Sequence, residues 1–169
     1  MSNFPKCFDV LMRFEGEEFE DVPGDEGGPT KFGITLSRFQ ELFPEVTIEQ
    51  LKAMAKGEAM TWYEEQYWIR YHLDEITSTD VASRLLLALV NLGPRRAVYA
   101  AQRACRATGH AIQEDGILGP VTFATLNQIH TAILIPALRS EVAGYYRRIL
   151  DKDPTQEQFR AGWLARAYY

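Results

Sequence analysis

Residues Glu15-Gly16-Glu17-Glu18-Phe19 and Asp25-Glu26-Gly27-Gly28-Pro29-Thr30-Lys31-Phe32-Gly33-Ile34-Thr35 decide how the chain is read. Upstream, Cys7, Val10, Leu11 and Phe14 recur at i, i+3, i+4 and i+7, one apolar stripe of a helix. Asn3 and Pro5 suit its start. At about 100° per residue, Glu15 falls between Leu11 and Phe8, at the edge of that stripe. Such a position partly desolvates a carboxyl, the setting a proton donor needs. The second segment is rich in glycine and acid and reads as turns. Phe19, Val22, Phe32 and Ile34 suggest a small hairpin within it.

Working outward, most of the remaining sequence reads as helix. Thr35 caps a short helix that ends before Pro44. Thr47-Ile48-Glu49-Gln50 is a capping box, opening a helix expected to stop near Gly57. Residues 58–71 form a helix rich in aromatics. Asp80 is the expected cap of Val81–Leu92, which is apolar nearly all round and so central and buried. Gly93-Pro94 ends that helix and starts another, to about Thr108. A loop over 109–119 leads into a helix from Pro120. Pro136 is expected to begin a long helix to Leu150, and a last helix covers about Thr155 to Ala167. The fold class expected is therefore mainly α, with a small β-hairpin region after the first helix. With no linker, low-complexity tract or repeat, residues 1–169 read as one compact domain.

Composition narrows the function classes. The chain has 169 residues and a formal net charge of −5. Residues 1–50 carry four Lys/Arg against eleven Asp/Glu, and the remainder fourteen against twelve. That balance argues against nucleic acid as a partner. Arg139, Arg147, Arg148, Lys152, Arg160 and Arg166 concentrate late and read as a solvated helix face. No run of eighteen apolar residues offers a membrane span. Cys7 and Cys105 are too few for a disulfide scaffold and read as buried thiols. His72, His110 and His130 are scattered, so no metal site and no cofactor are expected.

The opening segments resemble the signature of glycoside hydrolase family 108, the phage-type N-acetylmuramidases. Glu15-Gly16 matches its start, and Asp25, Gly27, Gly28, Thr30, Gly33, Ile34 and Thr35 match its second part. Phe32 replaces the usual Tyr, Glu17 stands where a second Gly is usual, and the Glu15-to-Asp25 spacing is one residue longer. The resemblance continues through Tyr63, Tyr67 and Trp68, through Asn91-Leu92-Gly93-Pro94 with Ala101-Gln102, and through Asp115-Gly116-Ile117-Leu118-Gly119-Pro120-x-Thr122. It closes with Gly162-Trp163-x-x-Arg166.

The resemblance implies a lysozyme-like fold, with residues 1–92 as the catalytic part and 93–169 as a helical, peptidoglycan-binding-like part. It implies cleavage of the β-1,4 bond between N-acetylmuramic acid and N-acetylglucosamine, with Glu15 as general acid. Glycoside hydrolysis usually needs a second group, and Asp25 leads Asp21 and Glu20 as candidate. Thr30 or Thr35 would hold the attacking water or orient a carboxylate, although Thr35 reads first as a cap. Tyr63, Tyr67 and Trp68 either line a saccharide cleft or belong to the core. Asn91 either binds an N-acetyl group or caps its helix. Gly27, Gly28 and Gly33 would let the backbone turn and approach sugar. The expected partners are peptidoglycan glycan strands, and a monomer is expected. The sequence begins without a basic and apolar leader. The resemblance then implies a bacteriolytic phage endolysin, made in the cytoplasm and reaching the wall through a holin or by injection. A lytic transglycosylase and a non-catalytic wall-binding protein on the same fold are the alternatives.

Overall fold

A computed structural model describes residues 2–21 and 28–169. Helix α1 (Phe4–Glu15) is capped by Asn3, whose side chain accepts from the Lys6 N–H, and has Pro5 in its first turn. Its stripe buries Phe4, Cys7, Phe8, Val10, Leu11 and Met12. Gly16, at φ 80°, ends it and donates its N–H to the Met12 carbonyl. Strands β1 (Phe19–Glu20), β2 (Thr30–Lys31) and β3 (Ile34–Thr35) form an antiparallel sheet in that order. Phe19 faces Lys31, and Lys31 faces Ile34. A two-residue turn, Phe32-Gly33, joins β2 to β3 with φ of 53° and 72°. Positive φ at both positions is the type I′ geometry that follows strand twist. Val22 of the expected hairpin lies outside the described residues.

Helices α2 (Leu36–Gln40), α3 (Ile48–Ala53) and α4 (Lys56–Tyr63) follow. Thr35 caps α2, and the Thr47–Gln50 capping box opens α3 as read from the sequence. The helix expected to reach Gly57 instead stops at Ala53. Met54 takes an extended backbone, and Gly57 lies inside the first turn of α4, where the Glu58 carboxylate accepts the Ala55 N–H. A glycine near a helix start costs little, so it did not mark an end. The aromatic helix is α-helical only to Tyr63. A π-helical stretch covers Glu64–Ile69, and a 3₁₀ turn covers Leu73–Glu75.

Helix α5 (Thr79–Leu92) is the central element, and packs on α1 and on α6 (Pro94–Ala107). Its cap is Ser78, one turn before Val81, rather than Asp80, which sits in the first turn. An acid there still opposes the helix dipole favourably. Helix α7 starts at Pro120 (Pro120–Gln128). Helix α8 (Thr131–Lys152) begins five residues before Pro136, with His130 as its cap. Burial of Leu134 and Leu138 on one face outweighs the single bond that the proline forgoes near the helix start. The last stretch divides into a 3₁₀ turn (Pro154–Phe159) and α9 (Arg160–Tyr168), which packs on α8.

One hydrophobic core runs from α1 through α5 to α8 and α9. Arg139 and Arg166, expected on a solvated face, instead point inward. The Tyr169 backbone oxygen accepts from Arg139 and Arg84, and Arg166 Nη2 donates to the Phe14 carbonyl at 3.2 Å. Cys7 and Cys105 are buried and free. Among the described residues, no helix is long and apolar enough to cross a membrane, and no His, Cys, Asp and Glu cluster could hold a metal ion.

Candidate active site

The end of α1 brings Glu15 against α5, α9 and the β2–β3 turn. Its side chain is only 13% exposed. Asn91, on the last turn of α5, donates from Nδ2 to Glu15 Oε1 at 2.8 Å and to the Leu87 carbonyl at 3.0 Å. Both amide hydrogens are thereby committed, and the carboxylate is fixed to a rigid helix. Arg166 of α9 sets its Nε 3.8 Å from the same Glu15 oxygen. That Nε is buried and has no hydrogen-bond partner among the described residues. An arginine so placed is free to pair more closely with the carboxylate or with a group that approaches it.

The third wall is the turn. A Cβ built on Gly33 would stand 2.8 Å from Glu15 Cβ and 2.9 Å from Tyr63 Oη. Only glycine fits there, and its positive φ demands glycine independently. Phe32 beside it holds φ 53° although bulky, a costly conformation. It is retained because its ring is buried and its carbonyl accepts from the Tyr63 hydroxyl at 2.9 Å. Burial pushes the Tyr63 phenol well up from its ordinary range, and the nearby Glu15 charge pushes the same way. Tyr63 is therefore a hydrogen-bond donor at neutral pH. Burial likewise raises Tyr146 to about 12, with Arg166 opposing and Glu15 adding.

The other sequence candidates are placed as follows. Thr30 lies on β2, opposite Glu20 and Thr35, and its hydroxyl donates to the Gly28 carbonyl at 3.0 Å. Thr35 caps α2 through its hydroxyl. Asp25 and Gly27 lie outside the described residues. Tyr67 packs on Tyr63 at 5.9 Å between ring centroids and accepts from Arg38 Nη2 at 2.9 Å. Burial raises its phenol, and the Arg38 charge partly offsets this. Trp68 is buried against Phe4, at 5.3 Å, on the core side. The structure thus gathers Glu15, Asn91, Gly33, Tyr63 and Tyr67, with Trp68 behind them. Arg166 was missed as a site residue. Its closing Gly-Trp-x-x-Arg pattern was visible, but nothing in the sequence shows which face of α9 turns inward.

Such an arrangement, a mostly desolvated carboxyl on a helix end beside a glycine turn and a small sheet, belongs to the lysozyme-like class of helical hydrolases. The family described as "Glycosyl hydrolase 108" matches residues 8–93, and that described as "Predicted Peptidoglycan domain" matches residues 96–168. The chain therefore belongs to glycosyl hydrolase family 108, and is a glycoside hydrolase. Together the two matches make it a peptidoglycan hydrolase. Among solved structures the chain is similar to one described as "Structure of Brucella abortus SagA", with 27% identity and a TM-score of 0.77. The alignment covers 97% of this chain and 88% of that one. No curated protein matches the chain.

Proposed function

We propose that the chain is an N-acetylmuramidase. It cuts the β-1,4 bond between N-acetylmuramic acid and N-acetylglucosamine, with Glu15 as general acid. In this reading Glu15 gives its proton to the bridging oxygen as the C1–O bond breaks. Water then adds to the oxocarbenium-like carbon and returns a proton to a base. Asp25 and Thr30 are the candidates for positioning that water or stabilising the sugar cation. Tyr67, 4% exposed, would back the cleft from the core, and Asn91 would hold the acid rather than the substrate. The observation that carries the reading is the fixed, 13%-exposed Glu15 side chain, bonded to Asn91 and pressed by Gly33. Of the described carboxylates that pair with a cation, Glu15 is the least exposed. A phage lysis role, with release to the wall by a holin or by injection, is part of the same proposal.

Digestion of purified sacculi tests it. The wild-type protein is expected to release fragments with reducing N-acetylmuramic acid ends, and Glu15→Gln to lose at least about a thousandfold in rate while melting normally. Fragments with 1,6-anhydro ends, read by mass spectrometry, would assign a transglycosylase instead. A wild-type protein that binds sacculi and releases nothing would make this a wall-binding protein. A Glu15→Gln protein that still digests would remove Glu15 from the mechanism.

A further inference from the structure

Beside the site, across Tyr67, lies a separate pocket of about 60 Å³. Arg38 from α2, Arg70 and Tyr71 from the end of the π-helical stretch, and Trp62 from α4 line it together with Tyr67. Four features set it apart from an incidental crevice. First, Trp62 is 7% exposed and its indole Nε1 is buried with no hydrogen-bond partner among the described residues. An indole N–H is a donor only, so it calls for an acceptor, and leaving it unmatched is costly. Second, Arg38 and Arg70 form no ion pair among the described residues, although Glu41 stands on the same rim. The lining therefore carries a net positive charge. Third, π-helical turns are frequent at functional sites, and this one, directly after α4, puts Tyr67 in the pocket lining and against Tyr63, which borders Gly33 and Glu15. Fourth, Pro94 also lines the pocket, three residues beyond the Asn91 that holds Glu15.

The lining is rich in donors and positive, and the space suits one small acidic group. We propose that this pocket is a subsite for a carboxylate of the peptide carried by the substrate's muramic acid residue. The proposal rests on the muramidase reading and adds what that reading lacks, a means to prefer peptide-bearing glycan over bare glycan. Arg70 and Arg38 would take the carboxylate oxygens, and Trp62 Nε1 would donate a third bond. Tyr67, held to Arg38 through its hydroxyl, would form the partition between this subsite and the Glu15 side.

Two substrates test the pocket: purified sacculi, and the same glycan strands stripped of peptide by an amidase. The wild-type protein is expected to show kcat/KM about tenfold higher on the peptide-bearing strands, with the difference in KM. Arg70→Gln is expected to abolish that preference, and Trp62→Phe to reduce it. Arg70 is exposed, so its substitution leaves the core intact. Equal kcat/KM on both substrates for the wild-type protein, or an unchanged preference in Arg70→Gln, would overturn the subsite. Binding of a soluble disaccharide tripeptide, against the peptide-free disaccharide, reads the pocket apart from the chemistry. In a Glu15→Gln background, stronger binding of the tripeptide form that Arg70→Gln removes would support the subsite even if no strand were cut. Equal binding of the two would sink it.

Discussion

Glu15, mostly covered, and Gln102, fully buried, are polar side chains on helices, and each is the hub of a segment that the sequence made conspicuous. They end differently. Gln102, 1% exposed on α6, donates one amide hydrogen to the Asp115 carboxylate at 2.7 Å and shares the other between the Ile117 carbonyl at 3.2 Å and the Thr122 hydroxyl at 3.3 Å. Its own oxygen accepts the Gly116 N–H at 2.9 Å. The Asp115 carboxylate also accepts from the Ile117 N–H, and these bonds hold it below its ordinary range. The knot is closed, with each group in it matched. Glu15 has one firm bond, one arginine at the edge of pairing range and some exposure left. A closed hub builds a loop, whereas an incompletely satisfied one is where chemistry is available.

Gly33→Ala is the strongest way to break the contrast. Its Cβ would collide with Glu15 Cβ at 2.8 Å, and the backbone would be strained at φ 72°. A loss of about 3 kcal/mol in stability is expected, together with a hundredfold or greater fall in hydrolysis as the acid is displaced. Thermal melts and sacculus digestion, measured on the same preparation, check both. Gln102→Ala should cost somewhat less, about 2 kcal/mol, since it opens a void and takes the acceptor from the part-buried Gly116 N–H, while the Thr122 hydroxyl keeps its bond to the Ile117 carbonyl. It should leave the turnover of the folded fraction alone. If digestion falls as steeply as for Gly33→Ala at temperatures well below the melt, the knot is not a purely architectural hub.

Asn91→Ala sharpens the Glu15 side. It removes the 2.8 Å bond and leaves the Arg166 guanidinium, 3.8 Å away, as the cation beside the Glu15 carboxylate. Hydrolysis is expected to fall about tenfold through kcat with KM little changed, as befits a residue that holds the acid. A rise in KM alone would return Asn91 to the substrate.

What could be read in advance follows the range of the interactions. The stripe of α1, the Asn3, Thr35 and Thr47 caps, and the Gly93-Pro94 junction depend on neighbours within one or two turns, and they appear where the sequence puts them. Glu15 at a desolvated edge was legible for the same reason. Arg166 lies 151 positions from Glu15, and its contact depends on how α9 seats on α8 and α1, which no local pattern encodes. Gly33 was visible as a turn glycine expected to approach sugar. A side chain at that position would meet the Glu15 side chain first. Pro136 inside α8 shows tertiary burial overriding a local signal.

The smallest expected effect compares the interior of the two halves with each other. Burial raises the Cys105 thiol from its ordinary 9.0 to about 11, and the Cys7 thiol in the same direction, with the Ser83 hydrogen bond partly offsetting it. A thiol that holds its proton more tightly when folded adds stability that is complete below pH 9. That stability drains away as the pH climbs toward about 11. The melting temperature should therefore be flat near neutrality and decline over that alkaline window. Cys105→Ala should melt lower near neutrality because it opens a small void, yet with a shallower alkaline decline. If the decline is as steep without Cys105 as with it, the interior of α6 is not what senses base. Tyr146, raised to about 12 on α8 beside Arg166 and Glu15, becomes the group to vary next.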